Sequence, residues 1–255
     1  MISFNMLGNY GHLGNQMFQY ATTLAVSKKL NTEACCPLWG PTNTRSHIRE
    51  CFTLGGMIDD YNMSGNVYRE PEFTYNENIF DLDPNQNWDL VGYFQTEKYF
   101  KDYREDVLRE FTFKDEILEE ALDRLQPVAG LHTTSLHVRR TDYLLYPDIH
   151  TNLQEDYWKK AIDKLSPECI IIFSDDIEWC KTVFVGDQYV FSTADNPYVD
   201  FCMMSKCDQH IMANSSFSWW ASWISGNTAV APKNWFGSAS EYSCSDLYCD
   251  DWIVM

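Results

Sequence analysis

The sequence is short of basic residues, of long apolar runs and of the spaced cysteines that bind metal. Its 19 lysines and arginines face 37 aspartates and glutamates, a formal charge of −18. Such a field repels nucleic acid and anionic lipid surfaces, so neither is the expected partner. Any anionic ligand must meet a local basic pocket. The longest apolar run, residues 169–173, is far too short to span a bilayer. The first residues lack a basic region followed by a long apolar core, so the expectation is no transmembrane segment and no secretory leader. The nine cysteines are odd in number and irregularly placed, with no C-x-x-C pair. Neither a disulfide framework nor a zinc site is suggested, and a reducing, cytoplasmic compartment is expected. Two familiar nucleotide signatures are missing as well. The glycines at 8, 11 and 14 do not follow the G-x-G-x-x-G spacing, and no Gly-Lys-Ser/Thr follows them.

What is present is enough apolar residue, 45% of 255, to bury a full core. Residues 2–6 alternate like a strand and run into a glycine-rich loop. From Gln16 the apolar positions Met17, Tyr20, Ala21, Leu24 and Ala25 fall at helical spacing, which puts Gly8, Gly11 and Gly14 in a strand-to-helix turn. Between residues 33 and 87 the period loosens. Asp81-Leu-Asp83 has the spacing of a metal-binding carboxylate pair, but Pro84 and Asn85 after it favour a turn. An aromatic patch follows at 91–100. The expected boundary between halves is at 127–130, giving domains 1–130 and 131–255.

The second half has a clear rhythm. Residues 133–139, 169–173, 188–191, 209–213 and 228–231 read as short strands separated by helix-length segments, the pattern of an α/β fold with a parallel sheet. Ligands of such sheets bind beyond the carboxyl ends of the strands. Three polar groups fall there: His137-Val-Arg-Arg-Thr-Asp142, Ser174-Asp-Asp176 and Asn214-Ser-Ser216. Asn214, Ser215 and Ser216 are helix-capping types ahead of a helix expected near Phe217. The amides of that helix start, with the hydroxyls of Ser215, Ser216 and Ser218, suit a phosphate. Strand alternation sets His137 and Arg139 on one side and Arg140 on the other. Arg139 is the candidate pyrophosphate clamp, because its planar fork donates two hydrogen bonds to phosphate oxygens. Arg140 is read as holding a carboxylate, with Asp142 and Asp176 as the alternatives. At least one of Asp175 and Asp176 is read as a helix cap.

Gly11-His-Leu-Gly-Asn-Gln-Met-Phe-Gln-Tyr-Ala21, His137-Val-Arg-Arg-Thr-Asp-Tyr143, Phe173-Ser-Asp-Asp176 and Ile211-Met-Ala-Asn-Ser-Ser-Phe-Ser-Trp-Trp220 together resemble glycosyltransferase family 11, the α-1,2-fucosyltransferases. Residues 91–100 and 231–236 extend the likeness nearly end to end. The resemblance implies a GT-B-like fold of two facing Rossmann-like domains with parallel sheets. It implies an inverting transfer of L-fucose from GDP-β-L-fucose to the 2-hydroxyl of a terminal galactose on an oligosaccharide, with no metal and no cofactor. Domain 1–130 becomes the acceptor side and domain 131–255 the donor side. By the same likeness Gly11, Gly14, Asn15 and Gln16 close over the reacting end, with Asn15 touching donor or acceptor. His137, Arg140, Asn214, Ser215, Ser216, Phe217 and Ser218 surround the donor with Arg139, and guanine is expected against residues 191–195, including Asp195. Asp142, Asp148 and His150 are the alternatives for the base. Thr141 departs from the family, which commonly has glycine there. The resemblance leaves room for another nucleotide sugar, another acceptor hydroxyl, or an inactive carbohydrate-binding protein. It also leaves the oligomeric state open. A cytoplasmic enzyme working beside a membrane that carries its acceptor is the expected setting. Asn62 and Asn214 are formal glycosylation acceptors that would stay bare there.

Overall fold

The structure, a computed structural model, describes residues 1–37, 46–60 and 65–255. Asn62 lies outside the described residues. Contacts divide the chain into two units, Met1–Lys114 with Tyr242–Cys249, and Asp115–Glu241 with Asp250–Met255.

The first unit holds β1 (Ile2–Ser3), α1 (Leu13–Lys29), β2 (Ala34–Cys35), α2 (His47–Cys51), β3 (Asn66–Arg69), β4 (Trp88–Val91) and α3 (Arg104–Glu110). Its sheet runs β2-β1-β4-β3 and is parallel throughout, with Ile2 opposite both Ala34 and Trp88. Residues 33–87 showed no sustained period because their strands are so short, two residues in β2 and four in β3. Helix α1 is buried on almost every face, from Leu13 to Ser27. Two of its buried hydroxyls bond back to the helix, Thr23 donating to the Gln19 carbonyl at 2.8 Å and Ser27 to that of Leu24 at 2.8 Å. Lys28 and Lys29 close it at the end where the dipole favours positive charge. The helix begins at Leu13, not at Gln16. Gly14 is therefore inside its first turn, and only Gly8 and Gly11 shape the loop.

The second unit holds α4 (Asp115–Leu125), β5 (Thr133–Val138), α5 (Thr141–Leu145), α6 (Glu155–Leu165), β6 (Cys169–Ser174), α7 (Ile177–Val183), β7 (Tyr189–Phe191), α8 (Pro197–Ser205), β8 (Gln209–Ile211), α9 (Ser216–Ser225), β9 (Thr228–Ala231) and β10 (Ile253–Val254). The strands read from the sequence at 133–139, 169–173, 188–191, 209–213 and 228–231 coincide with β5 to β9, and β10 was not foreseen. The boundary lies at Lys114/Asp115, not at 130/131, because α4 packs on α8 and so travels with the second sheet. Segment 242–249 returns to the first unit, where Asp246 pairs with Lys98 and accepts the Tyr75 amide at 2.9 Å.

All six strands are parallel, in the order β10-β9-β8-β5-β6-β7. Every residue of β5 is buried, so helices cover both faces. One face is apolar: Leu136, Val138, Ile170, Ile172, Ile211 and Val230 pack under Trp158 and Ala161 of α6 and Cys180 of α7. The other carries polar side chains. Ser135 bonds His210 Nδ1 at 2.8 Å, and His137 Nδ1 bonds Ser218 of α9 at 3.0 Å. Ile172 has no exposed surface and sits mid-strand in the apolar layer. Ile172→Ala is expected to lower stability by about 2–5 kcal/mol, read as a reduced urea midpoint. A loss under about 1 kcal/mol would mean that this layer is loosely packed.

Candidate functional site

In the second sheet the chain proceeds from β5 through β6 to β7 on one side and then returns to lay β8 on the other side of β5. The order reverses between β5 and β8, and a crevice opens at the carboxyl ends of two strands whose connections diverge in this way. Arg139 leaves the end of β5, and Asn214, Ser215 and Ser216 leave the end of β8.

The two arginines differ in what holds them. Arg140 Nε donates to Asp176 Oδ2 at 3.1 Å, and its guanidinium lies 3.6 Å from the ring centroid of Trp179. Its own amide is capped by Asp175 at 2.9 Å. Of the two expected partners, Asp176 is the one found, and the same carboxylate caps α7 by accepting the Trp179 amide at 3.3 Å. Asp175 accepts the Thr141 amide at 3.2 Å and the Thr141 hydroxyl at 2.6 Å. Thr141, standing where glycine is common, thus contributes a hydrogen bond. Arg139 keeps a looser hold, with Asp142 at 2.7 Å and Asp175 at 3.2 Å, and Asp142 is half-exposed. A guanidinium has five N–H donors, so these two contacts leave others for an incoming anion.

Ser215 is the N-cap of α9, its hydroxyl accepting the Phe217 amide at 3.3 Å. The helix starts at Ser216, one residue earlier than the pattern suggested. Two members of the cluster are committed to the fold. Asn214 is buried and donates through its side-chain amide to the carbonyls of Thr151 and Trp235, at 2.9 and 2.8 Å. Ser218 is buried against His137 and against the Ala213 carbonyl at 3.3 Å. Its hydroxyl points inward, which leaves Ser215, Ser216 and the backbone at Phe217 at the opening. His137 is buried as well. Burial, aided by the Arg139 charge, pushes its pKa down to about 4, so the ring is neutral and its packing against Phe217 is apolar.

Tyr143 joins the two loops and escaped the sequence reading. Its hydroxyl donates to the Asn214 carbonyl at 2.9 Å and lies against Ser215, while Arg139 sits 5.7 Å from its ring centroid. His150 stacks on the same ring, at 4.1 Å and 6°. Arg139, Asp142, His150 and Ser215 are thus gathered about one buried phenol. Burial holds the His150 pKa below the ordinary imidazole value against the Asp142 charge. Burial would raise Asp142, but the bond and charge of Arg139 outweigh it and hold that carboxyl below its usual range. Asp148 is exposed, and its backbone packs on Gly237, where an added Cβ would lie 2.5 Å from the Asp148 carbonyl.

Asp195 is exposed in the turn ahead of α8. The carboxylate with an altered environment is Asp200, inside α8, which accepts the Ser192 hydroxyl. Burial lifts its pKa to about 6 against that bond and the Arg124 charge. In the sequence Asp200 looks like a solvated helix residue; β7 packed beside it makes it partly buried. Ser192 also borders a hollow of about 210 Å³ lined by Arg124, Val128, Ile171, Phe191 and Met203.

The glycine-loop residues form a separate group in the first unit. Gly11 has φ +92°, and a Cβ there would fall 2.1 Å from Asn15 Nδ2. Asn15 accepts the Gln95 side-chain amide at 2.9 Å, and Gln16, fully buried, donates to the Gly11 carbonyl at 3.3 Å and accepts the Ile48 amide at 3.3 Å. Gln16 is a structural clamp of the loop. Asp83 accepts the Asn85 amide at 3.0 Å and so forms the turn expected of it. Among the described residues no group of three or more His, Cys, Asp or Glu is placed to hold a metal ion. None of their helices is long and apolar enough to cross a membrane.

The sequence profile of glycosyl transferase family 11 matches residues 2–255. This chain belongs to glycosyltransferase family 11. Among curated relatives of this family 11 chain, the O-antigen biosynthesis glycosyltransferase WbnK of Escherichia coli is 28% identical, over 95% of this chain and 97% of that one. The alpha-1,2-colitosyltransferase of Escherichia coli is 28% identical over 95% and 96%. The galactoside alpha-(1,2)-fucosyltransferase 2 of Oryctolagus cuniculus is 26% identical over 91% and 70%. In fold the family 11 chain is similar to the fucosyltransferase NodZ from Bradyrhizobium, with a TM-score of 0.57 and 12% identity over 86% of this chain and 90% of that one. The fold is α/β and GT-B-like.

Because Arg140 holds Asp176 and stacks on Trp179, its removal acts on the fold. Arg140→Ala is expected to cost about 2 kcal/mol of stability, measured by thermal melt. An unchanged melting temperature would release Arg140 from this structural role.

Proposed function

We propose that this family 11 glycosyltransferase moves L-fucose from GDP-β-L-fucose to the 2-hydroxyl of a terminal galactose, with inversion at the anomeric carbon. The observation that carries the donor half of this reading is the meeting of Arg139 with the hydroxyl-lined start of α9, across Tyr143, at the strand-order reversal. Fucose and galactose come from the family resemblance and from the relatives named above. The acceptor oxygen forms a bond to the anomeric carbon as the bond from that carbon to the β-phosphate oxygen breaks. GDP leaves carrying the negative charge. Arg139 and the amide-rich first turn of α9 stabilise that charge, which needs no metal ion or cofactor. The acceptor proton passes to His150, neutral at physiological pH, rather than to Asp142, whose affinity for a proton is spent on Arg139. Asp142 instead holds the arginine in place. The carboxylate of Asp200, with Ser192, is assigned the N1–H and amino donors of guanine, which extends the expected 191–195 contact into α8.

A second reading follows from the similarity to a colitosyltransferase. Colitose is fucose without its 3-hydroxyl, so the same anion clamp would serve a GDP-colitose donor. Incubation with GDP-fucose or GDP-colitose and a galactose-ended glycan array, followed by linkage analysis, separates the two. An α-1,2-linked fucosyl product is expected, and turnover should persist in excess chelator. Product from GDP-colitose alone would select the second reading.

Two variants test the chemistry. Arg139→Ala is expected to lower kcat by about 10²–10³-fold or more with an unchanged far-ultraviolet dichroism spectrum. Near-normal turnover would remove Arg139 from the clamp. A neutral His150 with a lowered pKa is present above that value and lost as pH falls through it. The acid limb of kcat/KM should therefore lie below the ordinary imidazole value of about 6.5. In His150→Gln that limb should vanish and kcat fall by about 10²–10⁴-fold. A retained limb would pass the role to another group.

A further inference from the structure

In the first sheet β1 and β4 lie side by side at the centre, with β2 and β3 outside them. The segments leaving the carboxyl ends of three adjacent strands each present an aromatic side chain: Tyr10 after β1, Tyr93 after β4 and Phe73 after β3. The rings are contiguous. Tyr10 and Tyr93 meet edge to face at 5.9 Å, Phe73 lies 6.1 Å from Tyr93, and Tyr242 from the returning segment stacks on Phe73 at 4.7 Å and 27°. Tyr242 is 54% exposed, and Tyr10, Phe73 and Tyr93 are partly exposed.

The backbone is built to hold these rings outward. The half-buried carboxylate of Glu70 accepts the amides of Tyr93 at 2.6 Å and Phe94 at 2.9 Å. Gly92 makes room for it, since a Cβ there would fall 2.5 Å from that of Glu70. Phe94 takes φ +54° and turns into the core against Phe4 and Tyr99, which leaves Tyr93 on the surface. Gln19, fully buried, donates to the carbonyls of both Tyr10 and Gly92, at 3.2 and 3.4 Å, and so ties the two loops together. A strained residue, a half-buried carboxylate and a buried amide are spent on presenting surface aromatics.

We propose that Tyr10, Phe73, Tyr93 and Tyr242 form a stacking platform for a neutral pyranose ring of the acceptor glycan. The inference rests on the glycosyl-transfer reading and names the acceptor subsite of that reaction. One face of galactose presents the C–H groups of C3, C4 and C5, whose partial positive charge suits the negative face of an aromatic ring. The three phenols supply donors and acceptors to the sugar hydroxyls around that face. Burial, followed by the neighbouring Tyr242 and Tyr10 phenols and then Glu70, raises the Tyr93 pKa, so its phenol stays protonated beside the other rings. A phosphate would find negative charge behind the rings, in Glu70.

The test uses the full chain with its preferred nucleotide sugar and lactose as the acceptor probe. Tyr242→Leu and Phe73→Leu keep apolar bulk and remove the π face. Each is expected to raise the KM for lactose by about tenfold, corresponding to one lost stacking contact. GDP affinity by calorimetry should stay at the wild-type value, and Tyr242→Phe should restore the KM. An unchanged lactose KM in both leucine variants overturns the platform alone. A leucine variant that weakens GDP and lactose equally also overturns it, because the rings would then be supporting the fold. A wild-type chain that transfers to no sugar on the array removes the function reading itself, and the platform with it.

Discussion

Strand β5 has water on neither face, and the second unit is arranged around that constraint. A strand buried on both sides must satisfy or neutralise every polar group it carries. The hydroxyl of Ser135 and the imidazole of His137 are therefore bonded to His210 and Ser218. That bonding fixes α9 over β5, and with it the position of the α9 N-terminus. Beyond Val138 the chain leaves the covered region, and two consecutive arginines emerge where the sheet stops protecting them.

Adjacent in sequence, the arginines are separated in function by what surrounds them. Arg140 lies over Trp179 of α7 and reaches Asp176, the residue that caps that helix. Arg139 is held by the partly exposed Asp142 and by Asp175. The first arrangement secures the loop between β5 and α5. The second keeps a cation in place within reach of solvent, in a protein whose net charge otherwise repels anions. A small number of local contacts, with the dipole of α9, thus overcomes a field of the wrong sign.

Both sheets place their unusual side chains beyond the carboxyl ends of adjacent strands, and each uses different chemistry there. Beyond the second sheet stand a guanidinium, serine hydroxyls and a neutral imidazole, groups suited to a diphosphate and a moving proton. Beyond the first stand a glycine turn and a group of aromatic rings, suited to an uncharged sugar.

By themselves, the residues determined the strand pattern of the second half, the capped helix after β8, the turn at Asp83 and, through four separated motifs, the family. These features are local. Alternation, capping and turn chemistry act over a few residues, and a motif is legible without its partners. Tertiary packing decided what depends on long-range neighbours. It turned Ser218 and Asn214 inward, gave Asp176 rather than Asp142 to Arg140, and brought Tyr143 between Arg139 and Ser215. It also drew α4 to the second unit by packing it on α8, and made Asp200 a partly buried carboxyl by setting β7 beside it. The rings of Tyr10, Phe73, Tyr93 and Tyr242 stand far apart along the chain, and only the sheet order brings them to one surface.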